Sequence, residues 1–493
     1  MTTMGASLPR VMVESFLPRH SHAVRRWLHL APVALVLGVQ AVLTLRLDNI
    51  AHADEALYID AGHAYFSQWS GGPQAADYGA YFSGFPWAYP LFAAAVDNLG
   101  GLGLVRFTSL LFTMVAVLCS GAIAVRLAGD SRPTFVRVTA LLFAVLAGPT
   151  LFAGNLATFD ACCAAAVLGA AALAVTRTGY ASALLAGVIG GAGAIVKYTG
   201  APFVAVAAVL AVVSAPTVAR GLGRAGLIVG AAVATMLAVY LPNAAWITEG
   251  IRFTTTGRAA HSYRALGFLG HEFLLTMGLL TALALAGLVL LARRRALLTG
   301  IVLFGAGAAI AVSQARLHEY TSFNKHLIFA ALFFAPLAAQ IATVTRALVR
   351  PLVISAAIYL LAVTALYRAD FMFHEWPDSS PVVDAVKKHN RSGLYIGVGA
   401  DSMAYYSKDQ PNLRWTEPWT LYGAGPDQMR AEVAAGKYTG VILMSGATGD
   451  DDLDRSTALM MSLLRDDPDY ELAGRWPKHR YDLNEFYLYL KRQ

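Results

Sequence analysis

The sequence predicts an α-helical polytopic membrane protein of about eleven transmembrane helices that ends in an extracytoplasmic α/β domain. Three observations lead to this prediction. Hydrophobic residues make up 57% of the 493 residues and charged residues only 14%, which is too apolar for a water-soluble protein of this length. Apolar runs long enough to cross a bilayer recur along the chain. The composition then becomes polar and acidic from Ala369 onward.

The first apolar run extends from about residue 27 to 45, directly after Arg25 and Arg26. It is too long for the hydrophobic part of a cleaved signal peptide, so we interpret it as a signal anchor, although Ala51-His52-Ala53 imitates a cleavage site. Residues 1–24 then form a cytoplasmic segment. Further apolar runs complete a membrane domain over residues 25–368; they lie at 102–125, 138–155, 158–176, 181–196, 201–215, 225–246, 271–292, 296–313, 325–345 and 351–367.

Basic residues indicate the orientation in the membrane. They concentrate in alternate short connections, which the positive-inside rule places in the cytoplasm. These residues are Arg25, Arg26, Arg126, Arg132, Arg137, Arg177, Arg220, Arg224, Arg293–Arg295, Arg346 and Arg350. Acidic residues dominate the opposite connections, with Arg252, Arg258, Arg264 and Arg316 as exceptions. We therefore expect a plasma (inner) membrane protein with a cytoplasmic N-terminus and an extracytoplasmic C-terminal domain.

The C-terminal domain is predicted over residues 369–493. It holds 19 of the 31 acidic residues but 14 of the 38 basic ones, so its net charge is −5 against +12 for the rest of the chain. The overall charge of +7 thus reflects topology and does not indicate a nucleic-acid partner. Strands are predicted at 394–398, 440–444, 471–476 and 486–490, with helices at 381–389 and 456–465. The three cysteines all fall in apolar runs and suggest no metal site.

A long outer loop, residues 47–101, carries the most concentrated chemistry. It opens with the acidic stretch His52-Ala53-Asp54-Glu55-Ala56-Leu57-Tyr58-Ile59-Asp60, beside the first span. Charged residues next to a bilayer are costly and commonly functional. Apolar spacing predicts a helix over Asp54–Trp69 that lies in the interface. The aromatic segment 81–90, with Trp87 and two prolines, could line a groove at headgroup level or form only an aromatic belt.

Further charged residues lie where predicted spans begin or end on the outer side. They are Arg106, Asp160, Lys197, Lys325 and His326. Each cation alone could be a snorkelling side chain. Together with the acidic stretch they predict an outward-facing site, in which carboxylates take a proton and cations hold an anionic group.

The order of these features resembles the GT-C membrane glycosyltransferases, in the group of protein O-mannosyltransferases and lipid A aminoarabinose transferases. The resemblance begins with Asp54-Glu55-Ala56-Leu57-Tyr58-Ile59-Asp60, continues through Pro86, Gly103–Arg106, Asp160 and the Gly-rich span ending at Lys197, and includes Lys325-His326 and the aromatic strand 486–490. Two positions depart from the aminoarabinose transferases, which often carry Arg at Leu57 and Lys at Phe85.

The resemblance implies transfer of a single sugar from a polyprenyl-phosphate donor to an acceptor hydroxyl on a protein, a lipid or a cell-envelope glycan, with inversion. Asp54 would be the base, with Glu55 and Asp160 as further catalytic acids. Lys197, Arg106 and Lys325 would bind the donor phosphate, and Tyr58, Asp60, Trp87 and His326 the substrates. A divalent cation could lie between carboxylate and phosphate, but the spacing does not require one.

Two other functions remain open from the sequence. A transporter or lipid flippase would place its charges near the membrane midplane in two related halves. A non-catalytic envelope-assembly protein would bind a partner through its outer domain, and its acidic stretch would tolerate substitution.

Overall fold

The membrane part of the chain is a bundle of α-helices. The computed structural model describes residues 21–80, 82–129, 131–257, 264–292, 296–318, 320, 322–344, 349–374, 376–445, 451–477 and 485–492. Within these ranges the bundle consists of α1 (Ser21–Thr44), α2 (Ala53–Trp69), α3 (Tyr89–Ala128), α4 (Pro133–Val145), α5 (Gly148–Ala153), α6 (Phe159–Thr176), α7 (Tyr180–Val196), α8 (Ala201–Val213), α9 (Val218–Tyr240), α10 (Ala244–Ile251), α11 (Leu266–Leu291), α12 (Leu297–Leu317), α13 (Phe323–Ala338) and α14 (Val349–Phe373).

Many of these helices are suited to a bilayer. In the described ranges, seven helices are long and apolar enough to cross it, and α4 with α5 forms a bent pair that would make an eighth. Three shorter apolar helices cover 30–44, 180–196 and 198–213. Each predicted run overlaps one of these helices, which makes the chain an integral membrane protein. The number of crossings stays a prediction, and residues 1–20 and Arg293–Arg295 lie outside the described residues.

The centre of the bundle is α13. Every residue from Phe323 to Ala338 is buried, as expected for a helix that is apolar on all sides. It packs against α3, α4, α5, α11 and α12. Its first turn carries Asn324, Lys325 and His326, so these polar side chains are held in the interior at one end of the bundle.

A kink divides α3 into two parts. Gly101 has φ +66°, in the left-handed region that glycine enters without a steric penalty. The part before the kink packs along α2, and the part after it continues into the bundle. Arg106 lies just beyond the kink, within the helix and not at its beginning as the sequence predicted.

The C-terminal domain is a five-stranded mixed sheet with helices around it. The strands are β1 (Gly393–Gly397), β2 (Leu413–Thr416), β3 (Gly440–Met444), β4 (Tyr470–Pro477) and β5 (Glu485–Lys491), in the order β2-β1-β3-β5-β4. Strand β1 pairs in parallel with β2 and β3, and β5 pairs antiparallel with β3 and β4. The helices are α15 (Ser380–His389), α16 (Ala400–Tyr406), α17 (Trp419–Ala424), α18 (Pro426–Ala434) and α19 (Asp451–Asp466). The predicted α/β sheet is confirmed, and β2 is a strand that the sequence analysis missed.

Helix α16 joins this domain to the outer loop. The hydroxyl of Tyr405 donates to Asp97 Oδ1 at 2.5 Å, and Lys408 Nζ lies 3.1 Å from Asp97 Oδ2. The hydroxyl of Ser402 donates to the carbonyl of Ala51 at 2.9 Å, while the Ala51 amide donates to the hydroxyl of Tyr406 at 2.9 Å. The C-terminal domain therefore holds the backbone immediately before the acidic stretch.

Candidate active site

The acidic stretch begins a helix, as predicted. His52 is the N-cap of α2, and its Nδ1 accepts a hydrogen bond from the Asp54 amide at 3.2 Å. Glu55 completes a capping box, because its carboxylate accepts a hydrogen bond from the His52 amide at 2.8 Å. This local structure fixes where the neighbouring carboxylates of Asp54 and Glu55 point. They point in different directions and meet different partners.

Glu55 is fully buried and saturated with hydrogen bonds. Its Oε1 accepts from Arg106 Nε at 3.0 Å and from the Ala157 amide at 2.7 Å, and its Oε2 accepts from Arg106 Nη2 at 2.7 Å. Arg106 also donates to the carbonyls of Asn49 and Ile50 at 2.9 and 3.0 Å. Both side chains are thus occupied by the protein itself. The roles predicted for Glu55 in catalysis and for Arg106 at the phosphate stay predictions.

Asp54 is accessible. Its Oδ2 accepts a hydrogen bond from Lys325 Nζ, and its side chain is 32% exposed. Burial acts to raise the pKa of Asp54, but Lys325, His52 and Lys197 outweigh it and lower the pKa to about 2. Asp54 is therefore deprotonated at physiological pH, and Lys325 donates a hydrogen bond to one of its two carboxylate oxygens.

A second pair lies beside the first. Lys197 Nζ donates to Asp160 Oδ1 at 2.6 Å, and the hydroxyl of Thr158 donates to Asp160 Oδ2 at 3.1 Å. His326 Nε2 is 3.8 Å from Asp160 Oδ1, while its Nδ1 is 2.9 Å from Gln314 Nε2. Because Lys325 and His326 are adjacent on α13, this helix connects the two carboxylates.

A close backbone contact places Lys197. The amide of Phe85 donates to the Ile195 carbonyl at 2.9 Å, and the amide of Tyr198 donates to the Ser83 carbonyl at 2.8 Å. Between them, a Cβ on Gly84 would lie 1.9 Å from the Val196 carbonyl oxygen, so only glycine permits this approach. The contact terminates α7 and turns Lys197 into the site.

An apolar cavity of about 590 Å³ opens next to Lys197. Its lining includes Ile195, Tyr198 and Thr199, which flank Lys197 in the sequence, and Phe85. Side chains from α8, α9 and α12 complete it, among them Phe203, Met236, Leu237, Ala306 and Ile310. The cavity can accept a long apolar group whose polar end lies near Lys197.

The predicted substrate-binding residues occupy different places. Tyr58 is buried against Phe159, with ring centroids 4.2 Å apart, directly beside Asp160. Trp87 is 39% exposed and lies in an aromatic cluster, with its ring 5.7 Å from Phe85 and 5.6 Å from Trp246. Tyr58 therefore lies beside Asp160, whereas Trp87 contacts Phe85, which lines the cavity.

Asp60 belongs to a separate acidic group at the C-terminal domain. Burial, together with Asp401 and Asp97, raises the pKa of Asp60 to about 7 despite the nearby Lys408. Burial and Asp54 raise the pKa of Asp401 to about 6. Sequence analysis missed Asp401, although it follows Gly397-Val398-Gly399 at the carboxyl end of β1, where sites in α/β sheets commonly lie.

The described residues offer no ready metal site. Within them, no group of three or more His, Cys, Asp or Glu side chains could hold a metal ion.

Comparison with solved structures identifies the architecture. ArnT from Cupriavidus metallidurans in the apo state matches with a TM-score of 0.59 at 14% identity, over 95% of this chain and 98% of that one. ArnT bound to undecaprenyl phosphate matches with the same TM-score and identity, over 96% and 98%. The oligosaccharyltransferase of Archaeoglobus fulgidus matches with a TM-score of 0.55 at 12% identity, over 85% of this chain and 69% of that one.

These proteins are GT-C glycosyltransferases, and the chain therefore has the GT-C fold. Neither a protein-family model nor a curated protein sequence matches the chain. At such low identity the likeness establishes the fold alone.

Proposed function

We propose that this GT-C chain is a membrane glycosyltransferase that moves one sugar from a polyprenyl-phosphate donor to an acceptor hydroxyl on the extracytoplasmic face of the plasma membrane. One observation carries the proposal. The pairs Asp54–Lys325 and Asp160–Lys197 lie side by side, and Ile195 and Tyr198, which flank Lys197 in the sequence, line an apolar cavity. Carboxylates, cations and a lipid-sized apolar space are the three elements that this reaction needs.

The cavity holds the prenyl chain, and the lysines hold the phosphate. Burial of apolar chain contributes roughly 0.8 kcal/mol per methylene. Lys197 and Lys325 then face the phosphate and neutralise the charge that grows on it as it leaves. ArnT bound to undecaprenyl phosphate, a protein of the same fold, supports a donor of this class.

Asp54 serves as the base. The acceptor oxygen attacks the anomeric carbon while its proton passes to Asp54. The bond between that carbon and the phosphate oxygen breaks, and polyprenyl phosphate departs with the electron pair. As the donor phosphate draws Lys325 away from Asp54, the pKa of Asp54 rises from about 2 and the carboxylate becomes a stronger base. A single displacement inverts the anomeric centre.

The remaining residues position these groups. Asp160 holds Lys197, and the buried pair of Glu55 and Arg106 fixes the start of α2, from which Asp54 projects. Tyr58 and His326 border Asp160 and close the site against the bundle. We assign acceptor binding to Asp60, which lies near Asp401 and Asp97, and to Trp87, which contacts Phe85 and Trp246.

The charge distribution disfavours a transporter. Asp160 begins α6, Lys197 follows the end of α7 and Lys325 lies in the first turn of α13. A transport pathway would place such groups near the middle of the helices. The envelope-assembly alternative has no specific support in the geometry.

Transfer assays with purified protein test the proposal. The protein in lipid nanodiscs is incubated with undecaprenyl phosphate esters of several labelled sugars and with envelope material from a deletion strain. We expect one ester to label the envelope material, Asp54→Asn to abolish labelling, and the exposed control Asp48→Asn to retain it. Equal labelling by the Asp54→Asn protein would remove Asp54 from the mechanism. No labelling by the unaltered protein with any ester would contradict the proposed activity.

A further inference from the structure

The C-terminal domain has a cleft of its own, about 510 Å³ in volume, between α17, α18 and α19. Trp419 and Tyr422 of α17 give it an aromatic side, and the buried Met429 of α18 also lines it. Asp452 and Arg455 of α19 line the opposite side. Apolar and polar groups therefore face the same space, as is usual in sites for small or slender ligands.

Trp419 is the lining residue that the fold itself uses least. It is 51% exposed, and in the described part of the chain neither a hydrogen bond nor a ring contact engages its indole. Trp415 of the same domain differs, because its Nε1 donates to Ser407 Oγ at 2.8 Å and its ring lies 5.1 Å from that of Tyr395. A half-exposed tryptophan with an unused ring face and N–H is typical of a binding surface.

The lining indicates a ligand that has both apolar faces and hydroxyl groups. A sugar ring has this character, since its C–H groups can pack against an aromatic ring while its hydroxyls both donate and accept at the edge. Asp452 offers acceptors and Arg455 offers donors, so the two can bind neighbouring hydroxyls. Because Arg455 also donates to Asp452, the charges that line the cleft balance each other.

Other ligand classes fit the cleft less well. The C-terminal domain has 19 acidic and 14 basic residues, and the cation that lines the cleft, Arg455, is paired with Asp452, which disfavours an anionic ligand. An extended peptide would pair with an exposed strand edge, whereas this cleft is formed by helices. An amphipathic helix would need an apolar groove, whereas one side of this cleft is charged.

The cleft is connected to the proposed active site through Glu417. The carboxylate of Glu417 accepts hydrogen bonds from the amides of Gly399 and Asp401, at 3.3 and 3.4 Å. Two residues of chain span at most about 7 Å, so Trp419 begins α17 within that distance of Glu417. Burial and, after it, Asp54 raise the pKa of Asp401, which places Asp401 near Asp54. A polymer in the cleft can thus extend toward Asp54.

We propose that this cleft binds a neutral glycan chain, and that this chain is the acceptor. The second part rests on the proposed glycosyl transfer, whereas the first does not. Trp419 packs on a sugar ring, Asp452 and Arg455 bind its hydroxyls, and a further sugar of the same chain presents its hydroxyl to Asp54. The acceptor is then a glycan, in preference to a protein or a lipid.

Binding tests the first part. The probes are oligosaccharides released from the envelope of a deletion strain, divided into neutral and charged fractions and sorted by length. We expect the full-length protein in nanodiscs to bind longer neutral oligosaccharides, Trp419→Ala to bind them about tenfold more weakly, and Trp419→Tyr to retain part of the affinity. Leu472→Ala is the matched control, since Leu472 is also 51% exposed but lies on β4 and does not line the cleft.

Two binding results would overturn the site. One is neutral oligosaccharides that do not bind, or that bind Trp419→Ala as tightly as the unaltered protein. The other is Trp419-dependent binding of the charged fraction alone, which would mean an anionic ligand. Both results can be obtained whether or not the protein transfers a sugar.

Transfer kinetics test the second part. With long neutral acceptors, Trp419→Ala should raise the acceptor KM about tenfold and leave kcat unchanged, because the cleft binds the chain away from the reacting atoms. With acceptors too short to reach from Asp54 to the cleft, the variant and the unaltered protein should have equal KM values. An unchanged KM for long acceptors would show that the bound glycan is not the acceptor. Absence of transfer by the unaltered protein would contradict the proposed function and leave the binding result standing.

Discussion

Arg106 and Glu55, 51 residues apart in the sequence, form a buried ion pair with two hydrogen bonds, Nε to Oε1 at 3.0 Å and Nη2 to Oε2 at 2.7 Å. Their side chains are 8% and 0% exposed. This pair connects the bundle to the start of α2. The position of the accessible acid Asp54 therefore depends on the neighbouring acid Glu55, which is fully buried.

Arg106→Ala should destabilise the protein strongly, because it leaves the Glu55 carboxylate buried without its cation. Breaking a buried pair in this way costs about 3–5 kcal/mol. The control is Arg252→Ala, which breaks the exposed pair with Glu249 and should change the stability little, because solvent screens such a pair. Thermal unfolding of both purified variants in one detergent gives the comparison. Equal unfolding temperatures for the two would contradict the structural role of the pair.

Lys197→Ala should weaken binding of undecaprenyl phosphate by roughly ten- to a hundredfold, the effect of about 1.5–3 kcal/mol for a lost charged hydrogen bond. Lys197→Arg should retain part of the affinity, since it keeps the charge and changes the geometry. The pair of the half-buried Lys387 with the exposed Asp409 supplies the control Lys387→Ala, which should leave binding unchanged.

Lys197→Ala also removes the partner of Asp160, and a second variant separates the two effects. The double variant Lys197→Ala/Asp160→Asn removes the lysine and also the Asp160 carboxylate, which the single variant leaves without its cation. If Lys197 contacts the phosphate, binding stays weak in this double variant. Recovered affinity would mean that Lys197 serves only to neutralise Asp160.

Asp60 should make stability depend on pH. Its pKa in the folded protein is about 7 against an ordinary 3.8, so the folded state favours the protonated acid. Its contribution to stability is complete below about pH 4 and is lost as the pH rises through 7. Asp60→Asn should therefore raise the unfolding temperature at pH 8 and change it little at pH 4.

The exposed Asp469→Asn variant controls for the loss of one negative charge. Its effect on the unfolding temperature should be small and similar at pH 4 and pH 8. An Asp60→Asn effect of the same size at both values would show that Asp60 is not held in its protonated form.

Single cysteines test the orientation in the membrane. In a variant with Cys119, Cys162 and Cys163 replaced by alanine, cysteines at the exposed positions Asp77 and Asp427 should react with an impermeant thiol reagent in intact cells. A cysteine at Arg294 should react only after permeabilisation, because the positive-inside rule places that connection in the cytoplasm. Labelling at Arg294 in intact cells would reverse the proposed topology.

The sequence predicted what depends on short-range patterns. Apolar runs located the helices of the bundle, and the helix predicted over Asp54–Trp69 is α2, Ala53–Trp69. Strand β2 was missed because it has four residues and includes the polar Arg414 and Thr416. So short a segment carries too little alternation to distinguish it from a loop.

The pairing of charges could not be predicted, because it depends on packing between distant segments. The sequence grouped Arg106 with the lysines that were predicted to bind phosphate, but only the folded chain shows that Glu55 and two backbone carbonyls accept its hydrogen bonds. Asp401 is about 340 residues from Asp60 by the printed numbering, and no local pattern relates the two.

The hydrogen bonds from α16 to Ala51 have a consequence for biosynthesis. The backbone that leads into Asp54 is held by Ser402 and Tyr406, which are translated some 350 residues later. Until those residues have been made and folded, the acidic stretch lacks the contacts that fix its geometry. A ribosome-bound fragment therefore has a complete Asp54-Glu55 sequence without an assembled site, and the proposed site is complete only when the C-terminal domain docks.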